Sequence, residues 1–158
     1  MTKSTICLNM IVKNESHIIL STLQNVLEHI NIDYWVISDT GSTDDTVNII
    51  QDFFKERGIP GAMFCDEWKD FGHNRTKALE HAFGKSDYLF IFDADDVIEG
   101  NMNLPLILDK DCHKIQFENP VSYHRPILIS NKMKWKYMGV LHEYIVPVDT
   151  KNLEEYLG

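Results

Sequence analysis

Three times between Thr5 and Phe83, a short apolar run gives way to a segment that reads as a helix, and the first run, Thr5 to Val12, is β-branched at several positions. Thr5 to Val12 precedes the stripe Ile18, Ile19, Leu23, Val26, Leu27 and Ile30, set within Glu15 to Ile30. Tyr34 to Ile37 precedes Val47, Ile50, Phe53 and Phe54, and Ala62 to Cys65 precedes a third helical segment, His73 to Phe83. A fourth run, Tyr88 to Phe92, closes the series. Such runs fit buried strands, and the stripes fit helices laid on a sheet. Repeated strand-helix units need crossovers, which are right-handed almost without exception. The expected class is therefore α/β, with a central, mostly parallel sheet flanked by helices.

The punctuation agrees with this reading. Ser42 and Asp45 are spaced as a capping box ahead of the second helix. Gly58 and Pro60 stop that helix near Arg57. After Asp96 the rhythm changes. Asn101 to Leu108 is expected to hold a helical turn broken at Pro105, and His113 to Phe117, Tyr123 to Ile129 and Leu141 to Val148 read as strands without long helices between them. A mixed or antiparallel extension follows from that spacing. The whole of 1–158 reads as one domain, with a ligand-binding half at 1–98, a partial second half at 99–148, and a tail at 149–158 that fits a cut from a longer protein.

Asp93-Ala94-Asp95-Asp96 ends the apolar run Tyr88 to Phe92, so a buried strand delivers carboxylates to one edge of the sheet. On an extended chain Asp93 and Asp95 share a face, roughly 7 Å apart. Unit charges about 4 Å apart at an effective dielectric near 20 interact by roughly 4 kcal/mol. A shared divalent cation relieves that repulsion, since hard cations prefer carboxylate oxygens and carry substrate phosphates as further ligands. Ligands of open α/β sheets bind beyond the carboxyl ends of the strands. Asn14-Glu15, Asp39 to Thr43 and Asp93 to Asp96 are all expected there.

A formal net charge of −9 and a pI near 5.1 argue against a nucleic-acid backbone as partner. Cys7, Cys65 and Cys112 are widely spaced and odd in number, which fits buried reduced thiols rather than a disulfide framework or a zinc site. No run approaches a membrane span, and the N-terminus lacks signal-peptide form, so a soluble, cytoplasmic chain is expected. His17, His29, His73, His81, His113 and His124 show no metal-binding spacing. Trp35 reads as core. Trp68 offers a ring face on which a ligand can stack. Trp135, in the lysine-bearing Lys132 to Tyr137, reads as part of a solvated hairpin or, less simply, a rim facing a second substrate.

These segments together resemble family 2 glycosyltransferases of the GT-A fold. Met10-Ile11-Val12-Lys13-Asn14-Glu15 is similar to the family's "MIVKNE", and Val36 to Thr46 to its "VDTGSTDDT". Asp70 to Arg75 with Ala78-Leu79 resembles "DFxxxRNxAL", with Asn74 and Arg75 in the opposite order. Asp93-Ala94-Asp95 matches the DxD triplet, and Gly139 to Glu143 a later "GxxHE". The ordered set is specific where no single block is.

The resemblance implies a metal-dependent, inverting transfer of a sugar from a nucleoside diphosphate sugar, UDP-sugar first, to a hydroxyl acceptor, with Mn2+ or Mg2+. Asp39 would hold the base, against the plainer reading of a turn cap. Val12, Asn14 and Glu15 would border base and ribose, and Arg75 would reach the nucleotide or its diphosphate. Asp93 and Ala94 would lie by the ribose and metal. Asp95 would bind the metal and serve catalysis, and His142 would complete the coordination. Glu143 is a candidate catalytic base, although on an extended segment it faces away from His142. Two other readings stay open: a catalytically silent nucleotide-sugar-binding module, and a haloacid-dehalogenase-type phosphatase with Asp93 as nucleophile.

Overall fold

The computed structural model describes residues 3–100, 102–118, 122–139 and 143–148. Its elements run in the order β1 (Ile6–Val12), α1 (Ile19–His29), β2 (Tyr34–Asp39), α2 (Thr46–Arg57), β3 (Gly61–Cys65), α3 (Phe71–Ala82), β4 (Tyr88–Ile91), β5 (Cys112–Glu118), β6 (Ser122–Ser130), β7 (Trp135–Met138) and β8 (Tyr144–Pro147). Six strands form one sheet in the order β3-β2-β1-β4-β6-β5, and β7 and β8 form a separate antiparallel pair. The first four strands of that order are parallel, and β6 runs antiparallel to both β4 and β5. The expected α/β class with an antiparallel extension is what the chain adopts.

Alternation along the strands divides the core in two. On one face Ile6, Leu8, Met10 and Val12 of β1 and Phe90 and Phe92 at β4 pack against Leu23 and Val26 of α1 and Phe53 and Phe54 of α2. On the other, Cys7, Val36, Leu89 and Ile91 meet Leu79 and Ala82 of α3, with Trp135 and Ile145 from the β7-β8 pair. Successive side chains of a strand face opposite ways, so a sheet covered on both faces needs continuous apolar runs. That is why β1 and β4 read as near-continuous hydrophobic segments.

Asn9 interrupts β1 and is buried, donating from Nδ2 to the carbonyls of Val36 and Ala78 at 3.1 and 3.0 Å. It ties β2 and α3 to the central strand. Trp35 stacks on Phe54 with ring centroids 4.7 Å apart and donates from Nε1 to the Ile59 carbonyl. Gly61, its register partner on β3, lies so close that a Cβ there would overlap the indole.

Several boundaries differ from the sequence expectation. Helix α1 begins at Ile19 rather than Glu15, because the Glu15 and Ser16 amides donate to Thr46 Oγ1 and Asp44 Oδ2 across the neighbouring loop. The Ser42-Asp45 capping box is not formed. Ser42 Oγ accepts instead from the Asn14 amide, and Asp44 caps the entry to α2 by accepting from the Thr46 amide and hydroxyl. Gly58 does end α2, in the left-handed conformation with φ 66°. No helical turn forms between Met102 and Leu108. Ser4 competes for that backbone, donating its amide to the Leu106 carbonyl and accepting from the Leu108 amide. Trp135 is buried on β7 rather than solvated, and Cys65 is exposed. Burial pushes the Cys7 thiol up to about 12, which leaves it a core residue rather than a nucleophile. The tail at 149–158 lies outside the described residues.

Asn74 shows how the loop after β3 is fixed. Fully buried, it accepts from the Lys69 amide at 2.9 Å and donates to the Glu67 carbonyl at 3.1 Å. Asn74→Ala leaves both groups of the loop unpaired and is expected to destabilise the chain by about 1–3 kcal/mol, read from the urea midpoint at unchanged m-value.

Candidate nucleotide and metal site

Strands β1, β2 and β4 end together at one edge. Beyond β1, Asn14 takes a left-handed conformation, φ 52°, which asparagine tolerates better than most residues. Its Oδ1 accepts from the Thr43 amide at 2.8 Å while its own amide donates to Ser42 Oγ, so the loops after β1 and β2 are buckled together. Val12 buries its side chain in the core, and its carbonyl accepts from the Thr40 amide and hydroxyl. What Val12 gives this edge is backbone position. Glu15 is half-buried, and its carbonyl accepts the Ile18 and Ile19 amides.

Asp39, only 5% exposed, closes β2. Its Oδ2 accepts from the Gly41 and Ser42 amides at 3.2 and 3.0 Å, while Oδ1 is buried with no hydrogen-bond partner among the described residues. Asp39 therefore caps its turn with one oxygen and holds the other unsatisfied. A buried carboxylate oxygen in that state is costly unless a donor arrives.

Across two strand spacings, roughly 10 Å, lies the acidic turn. Asp93, Asp95 and Asp96 each offer a carboxylate oxygen, and these lie within 4.8 Å of one another. Mutual hydrogen bonds hold the turn: the Asp93 amide donates to Asp96 Oδ2, and the Asp96 amide to the Asp93 carbonyl. Helix α1 fixes it from one side, where Thr22 Oγ1 donates to the carbonyl of buried Ala94 at 2.5 Å. Asn25 makes a two-way bond with the Ile98 backbone. Asp95 alone of the trio is exposed. The set is all oxygen, crowded and open on one side, which suits a hard divalent cation that keeps other ligands.

From the other face comes Arg75, whose Nη2 lies 3.0 Å from Asp93 Oδ1. Its guanidinium also sits 5.7 Å from the Tyr137 ring and 5.9 Å from that of Phe71. Burial opposes the charge on Arg75, but Asp93 and then Tyr137 outweigh it and hold its pKa above the ordinary value. Arg75, Asp93 and Tyr137 line a small cleft between the ends of β1 and β4 with Ile11 and Phe92. Sheet order reverses direction there, the switch point at which such folds bind ligands. Glu143 is exposed and accepts the Gly72 amide at 3.1 Å, near the start of α3. A helix N-terminus favours a carboxylate in that place. His142 lies outside the described residues.

The sequence matches the family model described as "Glycosyl transferase family 2" over residues 7–114. The chain belongs to that family. Among curated proteins it is similar to the SPbeta prophage-derived glycosyltransferase SunS of Bacillus subtilis (strain 168) and to glycosyltransferase SunS of Bacillus phage SPbeta. Each is 36% identical over 94 residues, which is 59% of this chain and 20% of the relative. This family 2 chain thus spans about a fifth of the length of those relatives. Among solved structures it resembles a mannosyltransferase from Pyrobaculum calidifontis, determined with GDP-Man and Mn2+. The TM-score is 0.51 at 22% identity, over 60% of this chain and 28% of that one. The likeness shows the GT-A fold. The family match includes Asp93 and favours the glycosyltransferase reading of the chain over the phosphatase one.

Two of the surrounding groups were not legible in the sequence. Tyr137 belongs to a strand that the lysines around it disguised. Asp66, after β3, accepts from Ser38 Oγ at 2.6 Å and lies 2.9 Å from His81 Nε2, whose ring stacks on Phe64. Burial alone would raise the Asp66 carboxyl, but the Ser38 hydroxyl and His81 outweigh it and hold it below the ordinary carboxylate range. A depressed carboxyl contributes stability above its unfolded pKa, near 3.9, and loses it as pH falls through the folded value. Ser38→Ala weakens that depression. Its deficit in melting temperature is expected to be largest near neutral pH and to narrow below about pH 3.9.

Proposed function

We propose that this chain is the donor-binding core of a metal-dependent, inverting glycosyltransferase that moves a sugar from a nucleoside diphosphate sugar to a hydroxyl acceptor. The observation that carries the reading is the pairing, on one edge, of the unsatisfied Asp39 Oδ1 with the aspartate trio two strands away. A nucleoside diphosphate has a ring N–H at one end and phosphates at the other, and these two sites suit its two ends. Uridine is the base that the family resemblance favours. The mannosyltransferase of like fold holds GDP-Man and Mn2+, in keeping with a nucleotide sugar and a divalent metal here.

Asp93 and Asp95 would hold Mn2+ or Mg2+, with His142 as a further ligand and Asp96 orienting the turn. The metal, when bound, supplies Lewis-acid neutralisation of charge on the leaving diphosphate. Asp39 accepts the base N–H through Oδ1. Asn14 and Glu15 wall the ribose side over the backbone of Val12, and Ala94 lets the nucleotide lie close to the turn. Arg75 donates its fork to the diphosphate. Inversion needs a carboxylate to take the acceptor proton as the hydroxyl attacks, and Glu143 is placed in that role. The 1–98 half carries the donor and 99–148 begins the acceptor side.

No described helix is long and apolar enough to cross a membrane. The three thiols, all free, fit a reducing compartment, and the reading places the chain in the cytoplasm.

Incubation with UDP-sugars and manganese should release nucleoside diphosphate in a donor-dependent way. Binding without release would make the chain a silent module. Asp95→Asn or chelation of the metal is expected to lower release by on the order of a hundredfold, about 2.7 kcal/mol of transition-state stabilisation. Glu143→Gln keeps an acceptor for the Gly72 amide but cannot take a proton. It is expected to reduce kcat by about a hundredfold or more with nucleotide affinity unchanged, and a normal kcat would move the base elsewhere.

A further inference from the structure

Arg75 sets a protein cation against the aspartate trio. Arg75 Nη2 occupies Asp93 Oδ1 at 3.0 Å, and both side chains are mostly removed from solvent, at 22% and 23% exposure. A partly buried pair of this kind is held far more firmly than a surface one, because breaking it leaves an uncompensated charge. Asp95 is exposed, and the whole turn is fixed from below by Thr22 and Asn25. The turn is therefore fixed by the fold, with Arg75 held against Asp93.

We infer that Arg75 is a resident counter-ion that competes with the divalent metal for Asp93, and that the diphosphate relieves the competition by giving the guanidinium a new partner. This rests on the metal and nucleotide reading above and adds to it a coupling between the two ligands. Metal alone binds against the Arg75 charge. Diphosphate alone must draw Arg75 from Asp93, and that carboxylate loses its ion pair with the guanidinium. Together each removes the obstacle to the other, a positive linkage that is reciprocal by thermodynamic necessity. Phe71 and Tyr137 flank the guanidinium and keep it within reach of both partners.

The test is calorimetric titration of Mn2+ into the full chain without nucleotide, then with UDP. Arg75→Gln is expected to bind Mn2+ alone about tenfold tighter than wild type, within the usual range of coupling between sites. In the same variant the factor by which UDP improves Mn2+ affinity is expected to shrink. Arg75→Met, which keeps an apolar stem beside Phe71 and Tyr137, should give the same gain, so a folding defect peculiar to one replacement does not decide the matter. Lys77→Gln removes an equal charge from the same helix, where Lys77 pairs with Glu80 rather than with the turn, and should leave Mn2+ affinity unchanged. Equal or weaker Mn2+ binding by Arg75→Gln and Arg75→Met, or an equal gain in Lys77→Gln, overturns the counter-ion role. If wild type still releases nucleoside diphosphate from a donor in that case, the transferase reading survives without it. Absence of Mn2+ binding by wild type and every variant removes both.

Discussion

Crowded like charge governs this edge of the molecule. Three carboxylates whose oxygens lie within 4.8 Å of one another cannot hold their arrangement by themselves. The fold restrains them from opposite sides: α1 grips the backbone of the turn through Thr22 and Asn25, and α3 sets Arg75 against Asp93. Everything that brings those helices to the turn follows from the sheet. β1 lies at its centre, α1 leaves its carboxyl end on one face, and α3 crosses the other on the way to β4.

The same arrangement gives the edge two parts of different character. Asp39 is fixed and dry, with Oδ2 tied to the turn amides and Oδ1 buried. The aspartate turn and Arg75 carry their charge closer to solvent. Asn14 joins the loops after β1 and β2, so the fixed part is held as one piece.

Much of this was legible in the residues. Strands β1, β2 and β4 announce themselves because they are buried on both faces, and the carboxylates stand out because they end an apolar run. What failed was local competition for hydrogen bonds. The Ser42-Asp45 spacing suggests a cap, yet Asn14, distant in sequence, claims Ser42, and Asp44 takes the capping role, its carboxyl held far below the usual range chiefly by the Thr46 hydroxyl. Ser4 likewise draws 102–108 away from a helical turn. β7 was hidden because Lys134 and Lys136 alternate with Trp135 and Tyr137, whose place is set by α3 rather than by the strand itself. Asn74 and Arg75 gain meaning only in three dimensions, where the first turns inward to the loop and the second outward to Asp93.

The fit of Trp35 over Gly61 has a consequence for how the edge strand finds its place. β3 is short and joins the sheet through β2 alone, so little else indexes its alignment. A slip of one residue would set Ala62 or Pro60 beneath the indole, and a shift of that size also turns every side chain to the wrong face. A missing side chain thus acts as the notch that sets the pairing, and the position of Asp39 at the far end of β2 is counted from it.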